Sequence, residues 1–294
     1  MAEAPSTPMN YRHAFHTGNH CDVLKHAALC LILERLKAKD KPFAVLDTHA
    51  GRGLYDLQSE AALRTGEHAG GVARVLGLDD APAALAPYSE AVGRANPFGG
   101  LRWYPGSPVI VADALRPGDS AKACELHPEE RAALESALAG RRGVRVFDRD
   151  GYQAVRAFLP PIERRGLVLI DPPFEQPGEF DRLSRALQDG LARWATGVFM
   201  IWRPVKDAAG WRRFLSSAEA MGAGDALNVE LNIRGAVDNK LTGSGLYIVN
   251  PPFGLSESLA GLLPWLAARL AIGPGASWTL IERERGVIIR NDAG

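Results

Sequence analysis

Short apolar runs separated by longer stretches with helical spacing set the rhythm of this chain of 294 residues. Phe43-Ala44-Val45-Leu46, Ala121–Leu126, Val144-Arg145-Val146-Phe147, Leu167–Ile170 and Val198–Trp202 read as strands, and Leu167–Ile170 is the plainest buried one. The segments between them carry helical periodicity. Asp22 is placed to cap a helix running to about Lys37, with Val23, Leu24, Ala27, Ala28, Leu31 and Leu36 on one face. Ser107–Leu115, Pro128–Ala139, Phe180–Ala192 and Trp211–Met221 read as further helices. Val229–Ile233 and Leu246–Val249 read as a closing antiparallel pair, with the second as the last strand.

Strands alternating with helices imply a mostly parallel sheet covered on both faces, with ligands at the carboxyl ends of the strands. Asp47, Glu125, Asp150 and Asp171 each end or closely follow a strand, which gathers chemistry at one sheet edge. Residues 54–100 break the pattern. They are Ala-rich, hold helical patches such as Ser59–Arg64 and Pro82–Arg94, and show no good strand. The expected division is therefore a main α/β domain from 1–53 and 101–294 with a helical insertion at 54–100. No internal repeat or low-complexity segment interrupts it.

Composition narrows the class. Hydrophobic residues make up 46% and charged residues 23%, as in an ordinary soluble protein. No apolar run approaches the roughly 18 residues needed to span a bilayer. Met1 to Asn10 lack the basic-then-apolar order of a signal peptide and read as unstructured. Three cysteines without metal-type spacing fit a reducing, cytoplasmic setting. The net charge of zero argues against nonspecific coating of nucleic acid, yet allows docking through a local basic patch.

The strand ends suggest a nucleoside site. Asp47-x-x-x-Gly51-x-Gly53 follows the first strand, and glycine there lets backbone approach a ligand. Alone it also suits a nicotinamide enzyme or a plain tight turn. Glu125 is placed to accept from ribose hydroxyls, and Asp150-Gly151 to meet an adenine edge. Taken in this order, without a pyrophosphate cradle, they favour S-adenosylmethionine (AdoMet) over NAD.

Asp171-Pro172-Pro173-Phe174 follows the fourth strand. An exocyclic adenine nitrogen is a poor nucleophile because its lone pair is delocalised into the ring. A carboxylate and a backbone carbonyl that accept its two N–H bonds draw it towards tetrahedral geometry. The prolines stiffen the loop and remove backbone donors. The Phe174 ring can stack on an extruded base, and Asp171 can take the proton. Pro172 belongs to the same catalytic loop. Asn250-Pro251-Pro252-Phe253 matches the same pattern, but follows the antiparallel strand, whose end points to the opposite edge, and is taken as structural.

Five of the seven histidines lie in the first 49 residues, within and after the run Tyr11 to His20. A metal site, a surface tail and a loop covering the active site are all open readings. In the last, Lys25 and His26 would meet a cofactor carboxylate, and Tyr11, Arg12 and Phe15 the nucleic acid.

With these residues in view, the chain resembles the RlmJ family, bacterial enzymes that N6-methylate one adenine of 23S ribosomal RNA. The likeness runs through Tyr-Arg-His-x-Phe-His-x-Gly-Asn-His at 11–20, Asp-Val-Leu-Lys-His at 22–26 and Leu-Asp-Thr-His-Ala-Gly at 46–51. It continues through Tyr-Pro-Gly-Ser-Pro at 104–108, Glu-Leu-His-Pro at 125–128, Asp-Gly at 150–151, Arg-Arg-Gly-Leu-x-Leu-Ile-Asp-Pro-Pro at 164–173 and Ile-Val-Asn-Pro-Pro at 248–252. The resemblance implies a class I AdoMet-dependent methyltransferase fold, Rossmann-like, with a mostly parallel seven-stranded sheet. It implies AdoMet contacts at His26, His49, Ser107, Glu125, Asp150, Gly151 and Asp171, Asp171 as proton acceptor, and Tyr11 as an RNA contact. It also implies 23S rRNA as partner; a monomer, with neither metal nor membrane, is expected beside it. The family usually has tyrosine where this chain has Phe174, and stacking needs only the ring. Family members begin near the Tyr-Arg-His run, which makes Met9 a candidate start and leaves residues 1–8 without an assigned role. The insertion matches a small helical subdomain expected to help grip RNA. Arg141, Arg142, Arg164, Arg165, Arg203, Lys206, Arg212 and Arg213 form either a basic surface around the site or solvated faces. DNA adenine or protein glutamine methylation, and non-catalytic RNA binding, stand as alternatives.

Overall fold

The computed structural model describes residues 13–235, 241–284 and 287–292, so the expectations for residues 1–10, Tyr11 and Arg12 fall outside the described residues. A nine-stranded sheet organises the chain. Its parallel part is built from β1 (Ala44–Asp47), β4 (Ser120–Cys124), β5 (Val144–Phe147), β6 (Gly166–Ile170) and β7 (Val198–Val205), in the order β5-β4-β1-β6-β7. β9 (Gly243–Val249) pairs antiparallel with β7, and β8 (Ala226–Asn232) lies outside it. These are the seven expected strands. Two more, β10 (Ser277–Glu284) and β11 (Val287–Asp292), extend the β8 edge, so Leu246–Val249 is not in the last strand of the chain.

A short antiparallel ribbon of β2 (Leu54–Asp56) and β3 (Trp103–Pro105) opens and closes the segment read as an insertion. The expectation of no strand between 54 and 100 is corrected at its first residues. Three residues are too few to leave an alternating pattern in sequence. Between the ribbon strands lie α2 (Glu60–Thr65), three 3-10 turns and α3 (Ala86–Ala95).

The helices cover both sheet faces. α1 (His20–Lys37), α3, α4 (Ser107–Ala114) and α9 (Leu255–Leu270) share one side, with Leu24, Ile32, Tyr88, Ile110, Leu262 and Leu266 in its core. α6 (Gly151–Phe158), α7 (Glu179–Arg193) and α8 (Ala208–Ala220) take the other, through Val155, Leu183, Leu187, Trp211 and Phe214. α5 (Pro128–Ala137) packs Leu134 against Ala123 and Val109.

α1 begins earlier than expected. Asn19, and not Asp22, caps it, its Oδ1 accepting from the amides of Cys21 (2.9 Å) and Asp22 (3.1 Å). Asp22 is instead fully buried, and its Oδ2 accepts from the Gly18 amide (2.8 Å) and pairs with His13 Nε2 (2.9 Å). α1 is also buried nearly all round from His20 to Leu33, because α3, α4, α9 and β9 surround it. The one-faced pattern read from its sequence is therefore only part of its apolar surface.

Parallel pairing of β1, β4, β5 and β6 brings their carboxyl ends to one edge. β9 runs the other way, which carries Asn250 to the opposite edge.

Candidate active site

A cavity of about 360 Å3 opens at the carboxyl edge of the parallel strands. That is within the roughly 300–1,000 Å3 of small-molecule and cofactor sites. Its walls come from every strand end singled out above except Asp47: Thr48, His49 and Gly51 after β1, Glu125 after β4, Asp150 and Gly151 after β5, and Asp171 to Phe174 after β6. His13, His16, Asn19, Asp22 and Lys25, from the start of the described chain, close it from above the sheet edge.

Glycine at 151 has a steric reason. A Cβ there would meet the Thr48 carbonyl oxygen at 2.2 Å, so glycine lets the β5–α6 turn lie against the β1 turn. Asp150 caps α6, its Oδ1 accepting from the Gln153 amide at 2.9 Å. Glu125 is held from both sides. Its Oε2 accepts from the Gly51 amide and its Oε1 from the His127 amide, each at 2.8 Å. Burial still raises its pKa above the ordinary carboxylate value. Such an oriented carboxylate keeps lone pairs for two vicinal hydroxyls.

His49 Nδ1 meets the Thr48 hydroxyl at 2.8 Å, and its ring packs edge-on against Tyr152. Burial lowers its pKa, so the ring is a neutral wall. Asp47 ends β1 just behind this wall, with 2% exposure. Its Oδ2 accepts from the Ser107 hydroxyl at 2.6 Å, while its Oδ1 is buried without a hydrogen-bond partner. Burial pushes this carboxyl up to about 7.

Lys25 Nζ sits 2.5 Å from Asp171 Oδ2 and 3.0 Å from Asp22 Oδ1. Desolvation works against its charge, but the two carboxylates prevail and hold its pKa well above the ordinary lysine value. Lys25 therefore faces the Asp171 carboxylate from the cavity wall. Lys25 engages only one of the two Asp171 oxygens, Oδ2. Phe174 has a backbone φ of +53°, uncommon for a residue with a side chain, and its ring stands edge-on to Phe180 (5.2 Å) and Trp202 (5.9 Å). Pro172 is buried.

Other residues named from sequence lie elsewhere. His26 is 2% exposed, with Nδ1 2.9 Å from the Tyr104 hydroxyl and its ring stacked on Tyr104. Burial lowers its pKa to about 3, so it is a neutral interior group. Ser107 is likewise buried behind the cavity on Asp47. Tyr11 is outside the described residues. Asn250 Nδ2 donates to the carbonyls of Ala195 and Gly197, each at 2.8 Å, and Phe253 is exposed. Arg203 leaves the proposed basic surface. It is 2% exposed, pairs with Glu230 and lies over the Trp211 ring. Lys206 and Arg213 do face a smaller hollow beside Phe174. Burial raises the Cys124 thiol to about 12, which removes it as a nucleophile despite its place on the wall. Trp202 and Tyr152 were not singled out from sequence, and the pairing of His13 with Asp22 was not foreseen, because these contacts depend on how separate segments fold together.

Comparison with known proteins closes the description of the site. A family model described as ribosomal RNA large subunit methyltransferase D, RlmJ, matches residues 40–280. The ribosomal RNA large subunit methyltransferase J of Escherichia coli (strain K12) is 43% identical over 279 residues, covering 93% of this chain and 100% of that protein. The protein of the same name from Haemophilus influenzae is 42% identical over 275 residues, covering 92% and 98%. A crystal structure of a Legionella pneumophila protein superposes with a TM-score of 0.83 at 32% identity, covering 92% of this chain and 98% of that one.

Proposed function

Because the chain belongs to the RlmJ family of ribosomal RNA large subunit methyltransferases, we propose that it transfers a methyl group from AdoMet to N6 of an adenine in 23S rRNA, with Asp171 as proton acceptor. The observation that carries this reading is one cavity walled by both the nucleoside-type strand ends and the Asp171–Phe174 loop.

The residues present fit the cofactor. Glu125 is oriented towards ribose hydroxyls by two backbone amides, and Asp150 with Gly151 lines the wall where an adenine edge would sit. AdoMet, when bound, supplies a methyl group on a sulfonium leaving group. Extrusion of the target base brings its ring to Phe174, whose orientation is braced by Phe180 and Trp202. Lys25 occupies Asp171 Oδ2, so Oδ1 accepts one N6 hydrogen while a carbonyl of the Pro172 loop accepts the other. Asp171 takes the proton that N6 sheds as the new bond forms. His26 and Ser107, bonded to Tyr104 and Asp47, lie behind the cavity in this scheme. The segment 54–100 and the residues around Tyr11 are proposed to grip RNA, and the enzyme to act as a cytoplasmic monomer. Among the described residues no helix is long and apolar enough to cross a membrane.

The same loop chemistry serves DNA adenine and protein glutamine. Transfer of tritium from AdoMet to naked 23S rRNA, duplex DNA and release factors separates these substrates. Label in 23S rRNA, mapped to N6-methyladenine, is the expected result. Label only in DNA or protein would overturn the reading, and absence of AdoMet binding by calorimetry would favour a non-catalytic RNA-binding protein.

A further inference from the structure

Glu67 lies in the segment between β2 and β3, on a 3-10 turn spanning Glu67–Gly70, and the chemistry above makes no use of it. Its carboxylate ties down two residues of the cavity wall. Oε1 meets His16 Nδ1 and Oε2 accepts from Asn19 Nδ2, each at 2.9 Å. The backbones around it are in direct contact. Val72 N donates to the Gly18 carbonyl at 2.8 Å, the Thr65 hydroxyl donates to the Phe15 carbonyl, and a Cβ on Gly71 would lie 2.1 Å from the Gly18 oxygen.

Asn19 is where this seam meets the chemistry. The same side chain that donates to Glu67 caps α1 at the amides of Cys21 and Asp22. Asp22 in turn pairs with Lys25 at 3.0 Å, and Lys25 with Asp171 at 2.5 Å. A continuous run of polar contacts thus joins the inserted segment to the carboxylate that meets substrate. Asp22 and Lys25 are almost wholly buried, so a shift of the helix start leaves their charges few alternative partners.

We infer that Glu67 is a positioning residue, which through Asn19 and the start of α1 sets Lys25 against Asp171. The inference rests on Asp171 as the proton acceptor. The inserted segment then orients the catalytic carboxylate in addition to any contact it makes with RNA. Contiguity alone does not establish coupling, so the test measures it.

In the full-length protein, Glu67→Ala is expected to lower kcat about ten- to a hundredfold, the scale of a misplacement near 1 Å. AdoMet affinity by calorimetry should stay within about threefold of wild type, as cofactor contacts are not touched. Hydrogen exchange should quicken at the Cys21 and Asp22 amides and not in the sheet. Glu67→Gln should restore most of kcat, because an amide can accept from Asn19 and donate to a neutral His16 ring. Asn19→Ser keeps a capping oxygen but cannot reach Glu67, so combining it with Glu67→Ala should add little further loss. If the alanine variant fails to fold, Glu67→Asp, one methylene short of both partners, serves the same comparison. Unchanged kcat in Glu67→Ala, a purely additive double mutant, or a raised KM for RNA with kcat intact would each overturn the inference. A wild-type protein that fails to methylate 23S rRNA would instead overturn the functional reading, and the exchange measurement would still score the hold of Glu67 on the start of α1.

Discussion

At Asp171 the two carboxylate oxygens differ. Oδ2 is engaged by Lys25, and the proposed mechanism assigns Oδ1 to substrate. Asp171→Ala should lower transfer to 23S rRNA by at least about a hundredfold, within the range for loss of a general base. AdoMet binding should remain measurable by calorimetry. Asn250→Ala should behave oppositely. It removes two hydrogen bonds to backbone carbonyls, each worth about 1 kcal/mol, so urea unfolding should show a loss of about 1–3 kcal/mol with activity retained. Activity lost in Asn250→Ala but kept in Asp171→Ala would reverse the choice of loop. Asp47 carries a pH signature. Burial raises its folded pKa to about 7 from an ordinary 3.8, so the stability it contributes is complete below about pH 4 and declines as pH rises towards 7. Asp47→Asn lacks that decline. Chemical denaturation should therefore find the variant gaining on wild type between pH 4 and 8, and parallel curves would refute the assignment. Residue types and strand-end positions made Asp47, Glu125, Asp150 and Asp171 legible in sequence. The pairing of Lys25 with Asp171 was not, since the two are 146 positions apart.

Elements were legible where their pattern was long or steep. β6 is apolar throughout and was found within one residue of its bounds. α1 was found, but its start was misjudged, because Asn19 and Asp22 are both good capping residues and only the fold decides which side chain accepts from the first helical amides. β2 and β3 are three-residue strands that exist by pairing with each other. α9 was not read at all, although Leu255, Leu259, Leu262, Leu263, Leu266 and Leu270 keep helical spacing. Pro264 within it interrupts a simple helical reading. The helix is no ornament, because these leucines bury one side of the sheet. Leu262→Ala, at a fully buried position, should cost about 2–5 kcal/mol in denaturant unfolding. A loss below 1 kcal/mol would mean that α9 does not belong to the cooperative core.

On the scale of the whole molecule, the site exists because four parallel strands end together while β9 runs against them. A cofactor bridging β1, β4, β5 and β6 stabilises only the folded chain. Saturation at a hundred times Kd is worth about 2.7 kcal/mol, so AdoMet should raise the Tm of wild type and of Asp171→Ala. No shift in either would remove AdoMet from this cavity. Local pattern, through the alternation of short apolar strands with helices, determined the fold class, and motif determined the family and its chemistry. Tertiary structure alone decided which oxygen of Asp171 is engaged by Lys25, that Arg203 is buried while Lys206 is not, and that residues after 250 return to extend the sheet. The physical reason is separation. Periodicity and capping act within a few residues, whereas burial and ion pairing depend on which distant segments the folded backbone brings within a few ångströms.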